Sequence, residues 1–152
     1  MNVNFNIKEK VDRIYPEIVK IRRHIHENPE LSQHEKETSA LVCRVLDKSG
    51  ISYQRGIAGY GVVARIGHGQ KAVGIRADMD ALPISENTGL PYASKVEGVM
   101  HACGHDMHTA ILLGTAMLLK ELEPELDAND SAVKLFFQPA EETIGGAKQL
   151  IE

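Results

Sequence analysis

The sequence predicts an α/β fold, an open mixed sheet flanked by helices. Three observations carry this. The first 48 residues hold two runs with apolar residues at helical spacing. Short alternating segments separated by glycine-rich turns come next, between residues 51 and 76. A strand, a helix and a second strand (71–76, 109–122 and 132–137) then succeed one another, the pattern of a right-handed crossover joining parallel strands.

In order, Ile7, Val11, Ile14, Ile18, Ile21 and Ile25 line one face of a helix over 7–26. Pro16 inside it predicts a kink or a late start near Tyr15. Asn28-Pro29-Glu30 breaks the run, and Ser32 is placed to cap a second helix. That helix reads from Glu35 to Lys48, burying Leu41, Val42, Val45 and Leu46, with Gly50 as its stop. Ile51 to Arg55 is a short strand. Val62 to Ile66 and Ala72 to Arg76 are strands joined by an apparent hairpin loop, Gly67 to Gln70, in which His68 is solvated. Residues 84–99 show no period and read as a long loop, a length usually kept for function. A helix to Leu122 and a polar linker, Glu123 to Ser131, precede the buried strand Ala132 to Phe137. Gly145-Gly146 then opens a helix over Ala147 to Glu152.

At 152 residues the chain suffices for one domain, burying ~70% of its unfolded surface. Seventeen Lys+Arg against 21 Asp+Glu, with no basic block, argue against a nucleic-acid partner. No apolar run approaches the ~20 residues of a membrane helix, and the first residues lack a signal-peptide core. Two cysteines, Cys43 and Cys103, are too few for a disulfide scaffold. A reducing cytoplasm is the expected location, with Cys43 in the core.

The chemistry concentrates in Met100-His101-Ala102-Cys103-Gly104-His105-Asp106-Met107-His108, where five of nine side chains are metal-binding types at the start of an apolar helix. A loop of solvated histidines with one inert cysteine is the bland alternative, and a tract this rich in Cys and His usually means metal. Asp78 and Asp80 lie just past one crossover strand, and Glu141 and Glu142 just past the other. In open α/β sheets ligands bind beyond the carboxyl ends of the strands. The connecting helix runs antiparallel to both strands, so its first turn arrives at that edge. Three segments therefore deliver ligand-type side chains to one place.

A hydrolytic site needs ligands, an open position for water and a base. Cys103 and His105 can reach one centre from a tight turn. Of Glu141 and Glu142, one could bind metal while the other takes a proton, and Asp78 and Asp80 suit ligand or supporting roles. Thiolate, imidazole and carboxylate together suit zinc, manganese, cobalt or nickel. Three other readings stand beside this one: a Cys103 nucleophile, a structural zinc site and a non-catalytic binding module. The surrounding carboxylates oppose the first, and the lack of a second Cys/His motif opposes the second.

Four segments, RRHIHENPELS (22–32), GIRADMDALP (74–83), MHACGHDMHTAILLGTA (100–116) and FFQPAEE (136–142), resemble the zinc-peptidase-like metal-dependent amidohydrolases. The similar branch holds hippurate hydrolase, N-acyl-L-amino-acid amidohydrolases and hydrolases of indoleacetyl-amino acids. The resemblance implies a phosphorylase/hydrolase-like catalytic domain and cleavage of the amide between an acyl group and an amino acid. A carboxypeptidase or dipeptidase of the same family is the alternative. It implies two divalent ions in the complete enzyme, manganese or zinc, with cobalt or nickel as substitutes. Cys103, His105 and Glu142 match metal ligands, Glu141 the general base, and Asp80 the aspartate that supports the metal centre. Asp78 stands where relatives outside this branch carry a histidine ligand. His108 is expected to orient Asp106 or the metal loop, and His24, His26, Asn28 and Glu30 to be structural.

Members of the family run to twice this length or more. The resemblance thus implies that residues 1–152 are the N-terminal portion of the catalytic domain, with a lid and dimerisation domain and the rest of the catalytic domain absent. The sheet would then be incomplete at its C-terminal end, with an exposed edge and marginal stability or association. A catalytically incomplete metal-binding fragment is the corresponding alternative. Expected partners are a small N-acyl amino acid or short peptide, and a second copy in the full-length form, with neither nucleic acid nor membrane.

Overall fold

The computed structural model describes residues 6–143 and 146–151. Its elements are α1 (Ile7–Glu27), α2 (Lys36–Lys48), β1 (Ser52–Ile57), β2 (Gly61–Ile66), β3 (Lys71–Asp78), α3 (His105–Glu121), α4 (Glu123–Ala128), β4 (Ser131–Gln138) and α5 (Gly146–Ile151). The strands form one mixed sheet in the order β1-β2-β4-β3. β1 and β2 are antiparallel, β2 and β4 antiparallel, and β3 and β4 parallel from Lys71↔Ser131 to Asp78↔Gln138. The crossover from β3 through α3 to β4 is the expected one.

The hairpin is not where the glycine spacing placed it. β1 and β2 make it, whereas β2 and β3 are separated by β4. The apolar run of β4 explains the insertion: Ala132, Val133, Leu135 and Phe137 are all buried, which requires a central strand. The segment 67–70 wraps around the start of that strand instead of turning back on itself. Gly69 N donates to Ser131 O (3.3 Å), Gln70 N to Asp130 Oδ1 (2.9 Å) and Lys71 N to Asp130 O (3.1 Å). A Cβ on Gly69 would stand 1.9 Å from the Asp130 carbonyl carbon, so only glycine passes there. His68 is exposed, as expected, against Asp127.

Helices α2 and α3 cover one face of the sheet, and α1 packs on α3. Val62, Ala64, Ile66, Leu135 and Phe137 from the strands meet Val42, Leu46 and Leu113 from the helices, all fully buried. Each larger side chain of this set contributes roughly 1.5–3 kcal/mol of transfer free energy. The α1 stripe is buried only toward its end: Ile21 and Ile25 are enclosed, while Ile7 and Val11 are exposed. Gly114 permits the α1–α3 approach, since a Cβ there would lie 3.1 Å from Ile18 Cδ1. Pro16 does not delay the helix, which starts at Ile7 with Asn6 Oδ1 accepting from Glu9 N (3.3 Å).

Two local readings change. The linker after α3 is not uniformly irregular, because Pro124 near its first position helps start the short α4. Ser32 does not cap α2. Glu30 does, accepting from Glu37 N (3.0 Å) and Thr38 N (2.8 Å), which leaves Ser32 free for another task. Gly50, at φ +64, ends α2 as expected. Residues 83–99 form no helix or strand. The helix expected over Ala147 to Glu152 is α5, which begins at Gly146; Gly145 and Glu152 lie outside the described residues. No described helix is long and apolar enough to cross a membrane.

Candidate metal centre

The parallel pairing of β3 and β4 sets Asp78 opposite Gln138 and brings both strand ends to one edge. Met79 N extends the ladder one step, donating to Gln138 O (2.9 Å). Thr109 Oγ1, in the second turn of α3, donates to Asp78 O (2.8 Å) and ties the helix start to that edge. Gly104 caps α3 at φ +85, a left-handed conformation that favours glycine. This turn aims Cys103 and His105 at a common point.

Asp80 organises the centre while buried (1% exposed). Its Oδ2 accepts from Ser32 Oγ (2.7 Å) and from Glu142 N (2.9 Å). Its Oδ1 and its main-chain carbonyl face His105 Nδ1 at 3.1 and 2.9 Å. Burial pushes the Asp80 carboxyl up, but the hydrogen bonds from His105, Ser32 and the main chain of Glu142 and Glu141 outweigh it and hold the pKa at about 2. Burial likewise pulls His105 down, and the same Asp80 contacts and the charge of Asp78 overcome it, raising the imidazole to about 8. With Nδ1 committed to Asp80, His105 Nε2 is the nitrogen that faces the centre. It lies 3.8 Å from Glu141 Oε2 and 3.9 Å from Glu142 Oε1.

One donor atom each from Cys103, His105 and Glu142 falls within 4.8 Å of the others. Glu142 Oε1 is buried and has no hydrogen-bond partner, a costly state that a cation would relieve. The Cys103 thiol is exposed; its hydrogen bond to Glu142, partial burial and the charges of Glu142, Glu141 and Asp78 raise its pKa. Sulfur, imidazole nitrogen and carboxylate oxygen on three sides of one space suit a borderline divalent ion. The residues fit a metal. Asp78, His105 and His108 form a second group with the same spacing, and Asp78 Oδ1 is also buried without a partner.

A model of the family described as peptidase family M20/M25/M40 matches residues 74–152, the half of the chain that carries this centre. The chain belongs to that family. It is 51% identical over 150 residues to the IAA-amino acid hydrolase ILR1-like 5 of Arabidopsis thaliana, covering 98% of this chain and 34% of that protein. It is 48% identical over 152 residues to the N-acetyl-L-cysteine deacetylase of Bacillus subtilis (99% and 34%). The thermostable carboxypeptidase 1 of Saccharolobus solfataricus is 48% identical over 157 residues (100% and 39%). Among solved structures, the Bacillus subtilis YXEP protein, described as a dinuclear metal binding peptidase from the M20 family, superposes with a TM-score of 0.84 at 44% identity, covering 92% of this chain and 39% of that one. A protein of methicillin-resistant Staphylococcus aureus gives 0.90 at 39% identity (98% and 40%). The chain thus spans little more than a third of the length of these relatives.

At this edge of the sheet the structure brings together Cys103, His105, Glu141, Glu142 and Asp80, and sets other expected participants apart. His101 is buried with both ring nitrogens unpartnered and joins neither donor group; burial lowers its pKa to about 4. His108 does not orient Asp106. It is exposed, with Nδ1 3.9 Å from Asp78 Oδ2, while Asp106 is held by His26 Nδ1 (2.7 Å) and Arg22 Nε (2.8 Å). His26 also reaches Glu86 of the long loop (3.2 Å), so the signature histidine joins α1, α3 and that loop. Glu35 is a participant that spacing did not indicate. Fully buried, it accepts from Ala140 N (2.7 Å) and so fixes the turn that presents Glu141 and Glu142, with Ala140 itself at φ +53. Burial raises its pKa. A glutamate at a helix start gives no sign of this from sequence alone.

Proposed function

We propose that these residues are the catalytic edge of a metal-dependent amidohydrolase that cleaves the amide bond of N-acyl amino acids, hippurate-like substrates among them. The observation that carries the reading is the Cys103–His105–Glu142 donor group with Glu141 beside it, its carboxylate 3.8 Å from His105 Nε2 and free of any hydrogen bond of its own among the described residues. Cys103, His105 and Glu142 would hold the metal, manganese or zinc, as part of a two-ion centre. Bound there, a divalent ion supplies Lewis acidity toward the scissile carbonyl and acidifies the attacking water. Glu141, part-exposed at the mouth of the site, takes the proton from that water and passes it to the leaving amine. Asp80 keeps the Nδ1 side of His105 occupied, which fixes the ring for metal binding through Nε2.

The relatives' lengths support reading residues 1–152 as one portion of a longer protein; the resemblance makes it the N-terminal portion of the catalytic domain, with a lid and dimerisation domain and further ligands in additional chain. A thiol ligand supports a reducing, cytoplasmic setting. The identity to a carboxypeptidase gives one second reading, a peptide substrate cut at its carboxyl end. The test is hydrolysis of hippurate and of a matched dipeptide by the manganese-loaded protein, with Cys103→Ser alongside. Preference for hippurate supports the first reading and preference for the peptide the second. Hydrolysis of neither substrate removes both, and unchanged metal content in Cys103→Ser takes Cys103 off the ligand set.

A further inference from the structure

On the side of α3 turned away from His105 and His108, a groove of about 330 Å³ runs between α1, α3 and the long loop. Its floor is apolar, with Ile18 from α1 and Met107 and Ile111, one turn apart on α3. Met107 and Ile111 are 48% and 61% exposed, which is unusual for neighbouring large apolar side chains on a core helix. At one end Tyr92 lies under two guanidinium groups, with Arg22 Cζ at 5.1 Å and Arg23 Cζ at 4.7 Å from the ring centroid. Arg22 is committed to Asp106. Arg23 is exposed and has no carboxylate partner among the described residues. Stacking occupies the face of a guanidinium and leaves its N–H edge free for a planar anion.

We propose that this groove is a binding site for a small carboxylic acid with an aromatic or branched apolar body, distinct from the metal centre. The carboxylate takes the N–H edge of Arg23, and the apolar body lies on Ile18, Met107 and Ile111. The volume is at the lower end of small-molecule sites, enough for a small free acid. Met107, unbranched and polarisable, adapts to the shape of the body.

The experiment is a titration of the metal-free 152-residue chain with 3-phenylpropionate, followed by calorimetry and by NMR. Chelated protein is used so that the metal centre cannot capture the carboxylate. The expected result is saturable one-to-one binding with shifts at Tyr92, Met107 and Ile111. 3-Phenylpropionamide should bind at least about tenfold more weakly, since hydrogen bonds to charged groups are the strong ones. Arg23→Gln should weaken the acid to the same degree, and Ile111→Asp, at an exposed position, should abolish binding with the circular dichroism unchanged. Equal binding of acid and amide would overturn the proposal, as would wild-type affinity in Arg23→Gln. Shifts centred on Cys103 and His105, or tighter binding of a peptide ending in phenylalanine, would overturn it as well.

Discussion

Cys103 faces Glu142, Glu141 and Asp78, and its hydrogen bond to Glu142 together with those charges favours the neutral thiol. A cation at the centre inverts that preference, because a coordinating thiol is deprotonated outright. Cys103→Ser is therefore expected to lower metal occupancy and activity together, read by metal analysis after dialysis; full occupancy would take Cys103 off the ligand set. Glu141→Gln should keep the metal and lose about 10²–10⁴ in turnover, the usual share of a general base. The pair Asp80–His105 makes a pH prediction for the metal-free chain. His105 is raised to about 8, so its contribution to stability is complete below its ordinary value near 6.5 and is lost as pH rises through about 8. Asp80 is lowered to about 2, so its contribution is present above 3.8 and is lost as pH falls toward 2. Urea midpoints should plateau between these limits, and Asp80→Asn should flatten both flanks; an unchanged alkaline flank would break the link to His105. The candidate ligand residues were readable in the sequence because their types and spacing are rare. Ser32 and Glu35 were not, since a serine and a glutamate gain meaning only from a fold that sets them beside Asp80 and Ala140.

Helix α2 begins at Lys36 without a side-chain cap from its own flank, and the carboxylate of Glu30 fills that place from six residues upstream of the first helical residue. Glu30→Ala is expected to cost about 1 kcal/mol, the usual loss for an N-cap. Glu30→Gln keeps one acceptor oxygen and should cost less, which thermal unfolding of the two variants would separate. Gly69 is the other element-level test. Its Cβ position is occupied by the Asp130–Ser131 main chain, so Gly69→Ala must push the 67–70 segment off the start of β4 and destabilise by about 1–3 kcal/mol or more. If Gly69→Ala folded with wild-type stability, the 67–70 segment would not be held as tightly against the start of β4 as the Gly69 contacts imply. Periodicity located the main helices and strands within a few residues, because it reports which face is buried. Strand order escaped it. A glycine-rich segment between two strands reads alike whether it turns a hairpin or passes around a third strand, and only the burial demanded by Leu135 and Phe137 decides between them.

For the molecule as a whole, the helices cover one side of the sheet, and the expected exposed edge is β3. Along it, residues 71–76 are all exposed, with Val73 at 65% and Ile75 at 36%. Its outer hydrogen-bonding side pairs with no strand among the described residues. Unpaired strand edges bearing β-branched residues are templates for pairing with another chain, and a positive charge on the edge is the common remedy. The sequence reveals this only indirectly: the resemblance implied a sheet incomplete at one end, whereas the alternation within β3 by itself would suit a strand with one buried face. Self-association of the 152-residue chain is therefore expected to grow with concentration in sedimentation velocity, through pairing of β3 with β3. Val73→Lys should suppress it while leaving metal binding intact, because Val73 lies five residues from Asp78 and on the exposed part of the strand. Equal association of wild type and variant would place the contact elsewhere, whereas loss of metal binding in Val73→Lys would mean that the edge and the centre are not independent.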